Sequence, residues 1–180
     1  MRLYLVRHLQ PTVAPGVCYG RSDLPVDTQL QAESLPGLRA QLPAAAPYYS
    51  SPLQRCATLA NALSPEVRFD ARLAELDFGA WEMHTWDAIA RGEIDAWAFD
   101  VAHYRPGGGE SVFDMAQRIC TFYADLMREN LPNAVLVCHA GAIRLLAARA
   151  RGLPPLAMAR EAAERPHAIS YGEVIILQSV

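Results

Sequence analysis

Charged and imidazole side chains stand at the ends of apolar runs in this chain, and at those positions they could do chemistry. Leu3-Tyr4-Leu5-Val6 reads as a short buried strand that runs straight into Arg7 and His8 before the pattern breaks at Gln10-Pro11. Ala134-Val135-Leu136-Val137-Cys138 is an almost wholly apolar run suited to a central parallel strand, and it ends in His139. Ser51-Pro52 reads as a helix start, with serine as N-cap and proline as first helical residue, and Arg55 follows off the apolar face. Ligand crevices in open α/β sheets lie outside the carboxyl ends of the strands. In a parallel sheet, Arg7, His8, Arg55 and His139 therefore share one edge, where helix N-termini also point. Such a place binds an anion.

Two histidines among arginines suggest more than binding. Neighbouring positive charge lowers an imidazole pKa and leaves His8 neutral, with a free lone pair. A neutral imidazole in line with a phosphoryl group is a nucleophile, and the arginines and His139 would neutralise the equatorial oxygens in the transition state. The departing alkoxide then needs a proton. Carboxylates cluster in Leu73-Ala74-Glu75-Leu76-Asp77-Phe78-Gly79-Ala80-Trp81-Glu82, where Phe78 and Trp81 could desolvate an acid. Glu75 and Glu82 are both candidates. The scheme needs no metal.

The elements that must hold these residues alternate along the chain. Pro11 to Pro25 is a loop containing Tyr19-Gly20-Arg21-Ser22-Asp23. A helix begins near Thr28 and is interrupted at Pro36-Gly37; Pro47–Ser50 and Val67–Phe69 read as short strands. Helices are expected over Thr85–Ala90 and Ile94–Phe99. Arg105-Pro106-Gly107-Gly108-Gly109-Glu110 is a glycine loop that could cradle a phosphate, although it matches neither the P-loop nor the dinucleotide pattern. Ser111-x-x-Asp114 resembles a capping box ahead of a long helix that packs through Val112, Met115, Ala116, Ile119, Phe122, Tyr123, Leu126 and Met127. A short helix follows Pro154-Pro155, and Glu173–Leu177 is a last strand. This order implies an α/β fold over residues 1–180 as one domain: three layers, α/β/α, with a mostly parallel central sheet and helices on both faces.

Composition excludes several other classes. With 52% hydrophobic and 19% charged residues the chain is globular. A net charge of −3 and no basic stripe argue against a nucleic-acid partner, and all 16 basic residues other than histidine are arginines. Cys18, Cys56, Cys120 and Cys138 have no metal-ligand spacing, and reduced thiols fit a cytoplasmic chain. Leu3–Val6 is too short for a signal-peptide core, and no run nears the roughly 20 apolar residues that cross a bilayer. No heptad specifies an oligomer.

Taken together and in order, these segments resemble the histidine phosphatase (phosphoglycerate mutase-like) superfamily. Leu5-Val6-Arg7-His8 is similar to its Arg-His-Gly signature, and Tyr19-Gly20-Arg21-Ser22-Asp23-Leu24-Pro25 to its Gly-x-x-Asp-x-Pro stretch. Ser50-Ser51-Pro52-Leu53-Gln54-Arg55 is similar to its Ser-Ser-Pro-x-x-Arg helix start, Pro106–Ser111 to its Pro-Gly-Gly-Glu-Ser loop, and Val137-Cys138-His139-Ala140-Gly141-x-Ile143-Arg144 to its second-histidine segment.

The resemblance implies a phosphoglycerate mutase-like fold and a metal- and cofactor-free phosphomonoesterase working through phosphorylated His8. Arg7, Arg55 and His139 would form the phosphate pocket, Glu75 would be the proton donor, and Glu82 would support it. Gln10, Tyr19, Gly20, Arg21, Glu82 and Ala140 would contact the rest of a small phosphorylated metabolite. The short chain resembles the phosphatase branch. Within that branch, Ala14–Arg21 and Glu75-x-Asp77-Phe78-Gly79-x-Trp81-Glu82 are most similar to the α-ribazole phosphatases of cobalamin assembly. A broad-specificity sugar- or nucleotide-phosphate phosphatase and a catalytically weak phosphate-binding protein are the competing readings. Leu9, Met83 and Ala140 stand where the family pattern has glycine, and Pro11 where a hydroxyl residue is common. A positive φ at Leu9 would cost roughly 1–2 kcal/mol.

Overall fold

The computed structural model describes residues 1–164 and 168–178. Its strands are β1 (Arg2–Arg7), β2 (Tyr48–Ser50), β3 (Val67–Phe69), β4 (Asn133–Cys138) and β5 (Val174–Gln178), joined in one sheet in the order β3-β2-β4-β1-β5. β1 and β2 both pair with β4 in parallel, and β2 pairs in parallel with β3; β5 runs antiparallel on the β1 edge. The helices are α1 (Thr28–Arg39), α2 (Gln54–Leu63), α3 (Arg91–Phe99), α4 (Val112–Arg128), α5 (Ala140–Ala150) and α6 (Pro155–Glu164).

The two-residue period of a strand sends alternate side chains into two separate cores. Leu3, Leu5, Ala134, Leu136 and Cys138 pack against Ile119, Phe122 and Leu126 of α4, Ile143 and Leu146 of α5, and Met158 of α6. Tyr4, Val6, Val135 and Val137 face the other way, onto Leu38 of α1 and Cys56, Leu59 and Ala60 of α2. Both faces of the sheet are covered, which is the expected three-layer α/β/α arrangement. The expected capping box is also present: Ser111 Oγ accepts from Asp114 N (3.1 Å), while Asp114 Oδ2 accepts from Ser111 N (3.2 Å).

The structure departs from the sequence reading at several element boundaries. α1 runs through Pro36 without a break, because Leu35 and the buried Leu38 anchor its last turn in the second core. α2 starts at Gln54, later than Ser51-Pro52 suggested. The segment Thr85–Ala90 holds only one 3₁₀ turn, Trp86–Ala88. Its backbone is committed elsewhere: Met83 N donates to Cys18 O (2.8 Å), His84 O accepts from Cys18 N (2.8 Å), and Trp86 N donates to Gly16 O (2.9 Å). No helix among the described residues is long and apolar enough to cross a membrane.

Candidate active site

Arg7 of β1 lies in register with Cys138 of β4, so His8 and His139 are the next residues on adjacent parallel strands. Their ring centroids are 5.0 Å apart, close to the roughly 4.8 Å that separates neighbouring strands. His8 is buried, and its Nδ1 lies 2.6 Å from the carbonyl oxygen of Leu9. A carbonyl only accepts, so Nδ1 carries the hydrogen and Nε2 keeps its lone pair. The His8 pKa is lowered to about 3, first by burial and then by the guanidinium of Arg55, with a smaller push from Arg7. Charge alone was the cause anticipated from the sequence; desolvation is the larger one. His139 is fully buried behind His8, and burial, followed by His8 and Arg55, holds its pKa well below the ordinary value.

Ser51 does not cap α2. Its Oγ sits 2.8 Å from His139 Nε2 and accepts weakly from Leu53 N (3.3 Å), a tertiary role that a helix-start pattern does not reveal. The first amide of α2, Gln54 N, instead donates to the carboxylate of Asp23 (2.6 Å). At α5, Gly141 N donates to Glu75 Oε2 (3.0 Å). Both helix N-termini at this edge thus already carry a protein carboxylate.

Arg55 is completely buried, not solvated. Its Nη1 donates to Ser22 O (2.7 Å) and its Nη2 to Gly20 O. Glu82 grips the same loop from the other side, accepting from the backbone N–H of Gly20 (3.0 Å), Arg21 (2.8 Å) and Ser22 (2.9 Å), from the Ser22 hydroxyl, and from Phe78 N (3.0 Å). Burial alone would raise the Glu82 pKa, but these bonds outweigh it and hold the carboxyl below its usual range. Glu82 is an ionised loop anchor.

Glu75 Oε1 accepts from Leu76 N (3.0 Å), and a Cβ placed on Gly141 would come within 2.3 Å of that oxygen. The backbone carrying Glu75 is fixed by Arg118 of α4, which donates to the carbonyls of Arg72 (2.6 Å), Ala74 (2.7 Å) and Glu75 (3.1 Å). Arg118 in turn makes a two-pronged pair with Glu110 (2.7 and 2.8 Å). The glycine loop is used for close packing. Gly107 (φ +56°) lies so near Phe78 that a Cβ would sit 2.4 Å from its carbonyl oxygen, and none of Gly107 to Gly109 reaches the cavity wall.

These groups open onto a cavity of about 990 Å³. Arg7, His8, Tyr19, Arg55, Glu75 and Ala140 are on its wall, together with Tyr171, which the sequence reading missed. Tyr171 lies under the Arg7 guanidinium (3.8 Å to the ring centroid), and its hydroxyl bonds that of Tyr19 (2.6 Å). Gln10, Gly20, Arg21, Glu82 and His139 are not on the wall: Gln10 and Arg21 are exposed, Gly20 and Glu82 belong to the loop clamp, and His139 stands behind His8. Trp81 is likewise behind the wall, donating through Nε1 to Glu93, while Phe78 is on it. Tyr171 and Arg118 had no local signal, since their partners lie far away in sequence. Among the described residues no cluster of histidine, cysteine and carboxylate side chains could hold a metal ion.

The sheet carries an arginine–histidine strand end and a second histidine beside it, with a carboxylate on the same cavity wall, the groups that a phosphate-handling site needs. Residues 3–173 match the histidine phosphatase superfamily (branch 1), and the chain belongs to that family. It is 33% identical over 96 residues to the adenosylcobalamin/alpha-ribazole phosphatase of Escherichia coli K12, covering 51% of this chain and 47% of that protein. It is 36% identical over 120 residues to a glucosyl-3-phosphoglycerate phosphatase of Mycolicibacterium vanbaalenii, covering 58% and 53%. The chain thus spans about half the length of these curated relatives. The solved alpha-ribazole phosphatase of Shigella flexneri superimposes with a TM-score of 0.83 at 26% identity, over 99% of this chain and 90% of that one. The native mycobacterial glucosyl-3-phosphoglycerate phosphatase gives 0.80 at 26% identity, over 97% and 88%. The sheet and its helices are those of the phosphoglycerate mutase-like fold.

Proposed function

We propose that this protein is a metal-independent phosphomonoesterase that works through a phosphohistidine at His8. The observation that carries this reading is the fixed tautomer of His8: Nδ1–H is held by the Leu9 carbonyl, and Nε2 stays unprotonated beside Arg7 and Arg55. Nε2 attacks phosphorus in line and the ester P–O bond breaks. Arg7 and Arg55 bind the equatorial oxygens, with His139 contributing from behind. Glu75, on the same cavity wall, enters this step in its protonated form, gives that proton to the leaving alkoxide, and as a carboxylate takes one from the water that releases phosphate from His8. The product alcohol and inorganic phosphate leave.

The finer reading is α-ribazole 5′-phosphate as substrate, supported by the similarity to the Escherichia coli and Shigella flexneri proteins. The relatives' differing names keep a broad-specificity sugar- or nucleotide-phosphate phosphatase as the second reading. Residues 1–180 act as one domain in this proposal, and the four free thiols support a reducing, cytoplasmic setting. The test is steady-state hydrolysis of α-ribazole 5′-phosphate beside a generic aryl phosphate, with chelator present. A far higher kcat/KM for the ribazole ester establishes the finer reading, and similar slow rates favour the broad one. Full activity in His8→Ala would overturn the phosphohistidine mechanism.

A further inference from the structure

Resting on the phosphatase reading above, we infer that the cavity beside His8 is a seat for a flat aromatic group on the alcohol half of the substrate. The cavity, at about 990 Å³, is far larger than a phosphoryl group requires, and on its wall Arg7, Arg55 and Tyr171 stand around His8, with Tyr19 against Arg55 and Arg144 beside Glu75. Away from these groups the wall is formed by Phe78, Trp86, Ile94, Trp97 and Met115 among other apolar residues. Trp86 and Trp97 are stacked (6.0 Å between ring centroids, 6° between planes), and Phe78 meets both edge-on at 5.8 and 6.0 Å. Aromatic surfaces arranged in this way accept a further ring in offset or edge-to-face geometry.

α3 supplies the second, independent observation. Ile94, Trp97 and Ala98 of α3 fall at the spacing of one helical face, the pattern of a helix that packs on a core. Yet no residue of α3 is buried, and Trp86, Ile94, Trp97 and Ala98 join neither hydrophobic core. Besides Phe78 and the buried Trp81, which both indoles meet, their shared neighbour is the cavity, which is continuous with the phosphate end. The occupant of that end therefore determines what covers the stripe: the group esterified to the phosphate. Against the apolar part of this wall a polyhydroxyl or carboxylate-bearing alcohol would give up most of its hydration, with the unpartnered indole Nε1 of Trp97 as a donor in return. The other cation on the wall, Arg144, already donates to the carbonyl of Ala162. A planar apolar ring would gain burial on every side.

The experiment compares two primary alkyl esters with the same scissile bond, 2-naphthylmethyl phosphate and glycerol 1-phosphate, on the full chain and on Trp86→Ala. Burial of the naphthyl ring should give a kcat/KM preference of about tenfold or more, and Trp86→Ala should cut that preference by about fivefold. Equal kcat/KM for the two esters, or a preference unchanged in Trp86→Ala, would overturn the aromatic seat while leaving the phosphatase reading intact. If neither ester is hydrolysed, hydrolysis of α-ribazole 5′-phosphate decides the phosphatase reading. Equilibrium binding of 2-naphthylmethylphosphonate against methylphosphonate, read by tryptophan fluorescence, then decides the seat alone. A Kd lower by about tenfold for the naphthyl compound upholds it, and equal values overturn it.

Discussion

Because His8 is buried beside the Arg55 guanidinium, the residue's protonation is tied to the stability of the fold. The folded His8 takes up a proton only near pH 3, whereas an unfolded histidine does so near 6.5. Between those values the unfolded chain binds more protons, so this contribution is complete above pH 6.5 and is lost as pH falls. At pH 5 the loss from His8 alone amounts to roughly 2 kcal/mol. Urea unfolding at pH 7 and pH 5 should therefore show a stability gap that narrows by about that amount in His8→Gln. A gap unchanged by the substitution would mean that His8 titrates normally in the folded state. Backbone strain falls on a different residue from the one the sequence suggested. Leu9 is buried in the second core and is not among the described residues with positive φ, whereas Met83 has φ +64°. Met83→Gly should release roughly 1–2 kcal/mol of left-handed strain, less up to about 1 kcal/mol of added chain entropy. Thermal unfolding should then show a Tm about 2 °C higher. Arg7, His8 and His139 were legible because each interrupts an apolar run at its C-terminal end. Tyr171 and Arg118 were not: Tyr171 matters through Arg7 and Tyr19, and Arg118 through carbonyls more than 40 residues away.

At the scale of elements, the site depends on contacts between segments that carry no mutual pattern. The start of α5 holds the Glu75 carboxylate only because position 141 lacks a Cβ. Gly141→Ala should displace Glu75 and lower kcat by about tenfold or more with a smaller change in KM, if Glu75 has the proposed role at the leaving alcohol and none in phosphate binding. Steady-state kinetics on the variant separates the two. Glu82 acts on a different element, the loop from Gly20 to Ser22 that also receives Arg55. Glu82→Ala would leave the partly buried N–H groups of Gly20, Ser22 and Phe78 without a partner, at a cost of about 1–3 kcal/mol each before water compensates. Denaturant unfolding should show the protein weaker by at least about 2 kcal/mol. Helix starts were the least legible feature at this scale. Ser51-Pro52 and Thr85–Ala90 both look helical locally, but Ser51 is taken by His139 and the 83–86 backbone by residues 16–18. α4 was read correctly because its cap and its apolar face lie within one segment.

For the molecule as a whole, the two hydrophobic cores share β1 and β4 and cannot be separated without dismantling the sheet. Far-UV circular dichroism and tryptophan fluorescence should therefore report one coincident unfolding transition, as expected for residues 1–180 acting as one domain. The α/β class and the two-sided covering of the sheet were legible from alternating elements and from the near-continuous apolar runs of the central strands. The antiparallel direction of β5 was not, because strand periodicity carries no sense of direction. The same sheet sets the separation of the two histidines. Since His8 and His139 extend a hydrogen-bonded ladder by one residue on each side, the spacing of their Cα atoms is a rung length, dictated by peptide geometry and indifferent to most side-chain replacement. It changes only in whole steps, by insertion or deletion in one strand. For a designer, such a histidine pair can be carried to any two neighbouring parallel strands that end in step.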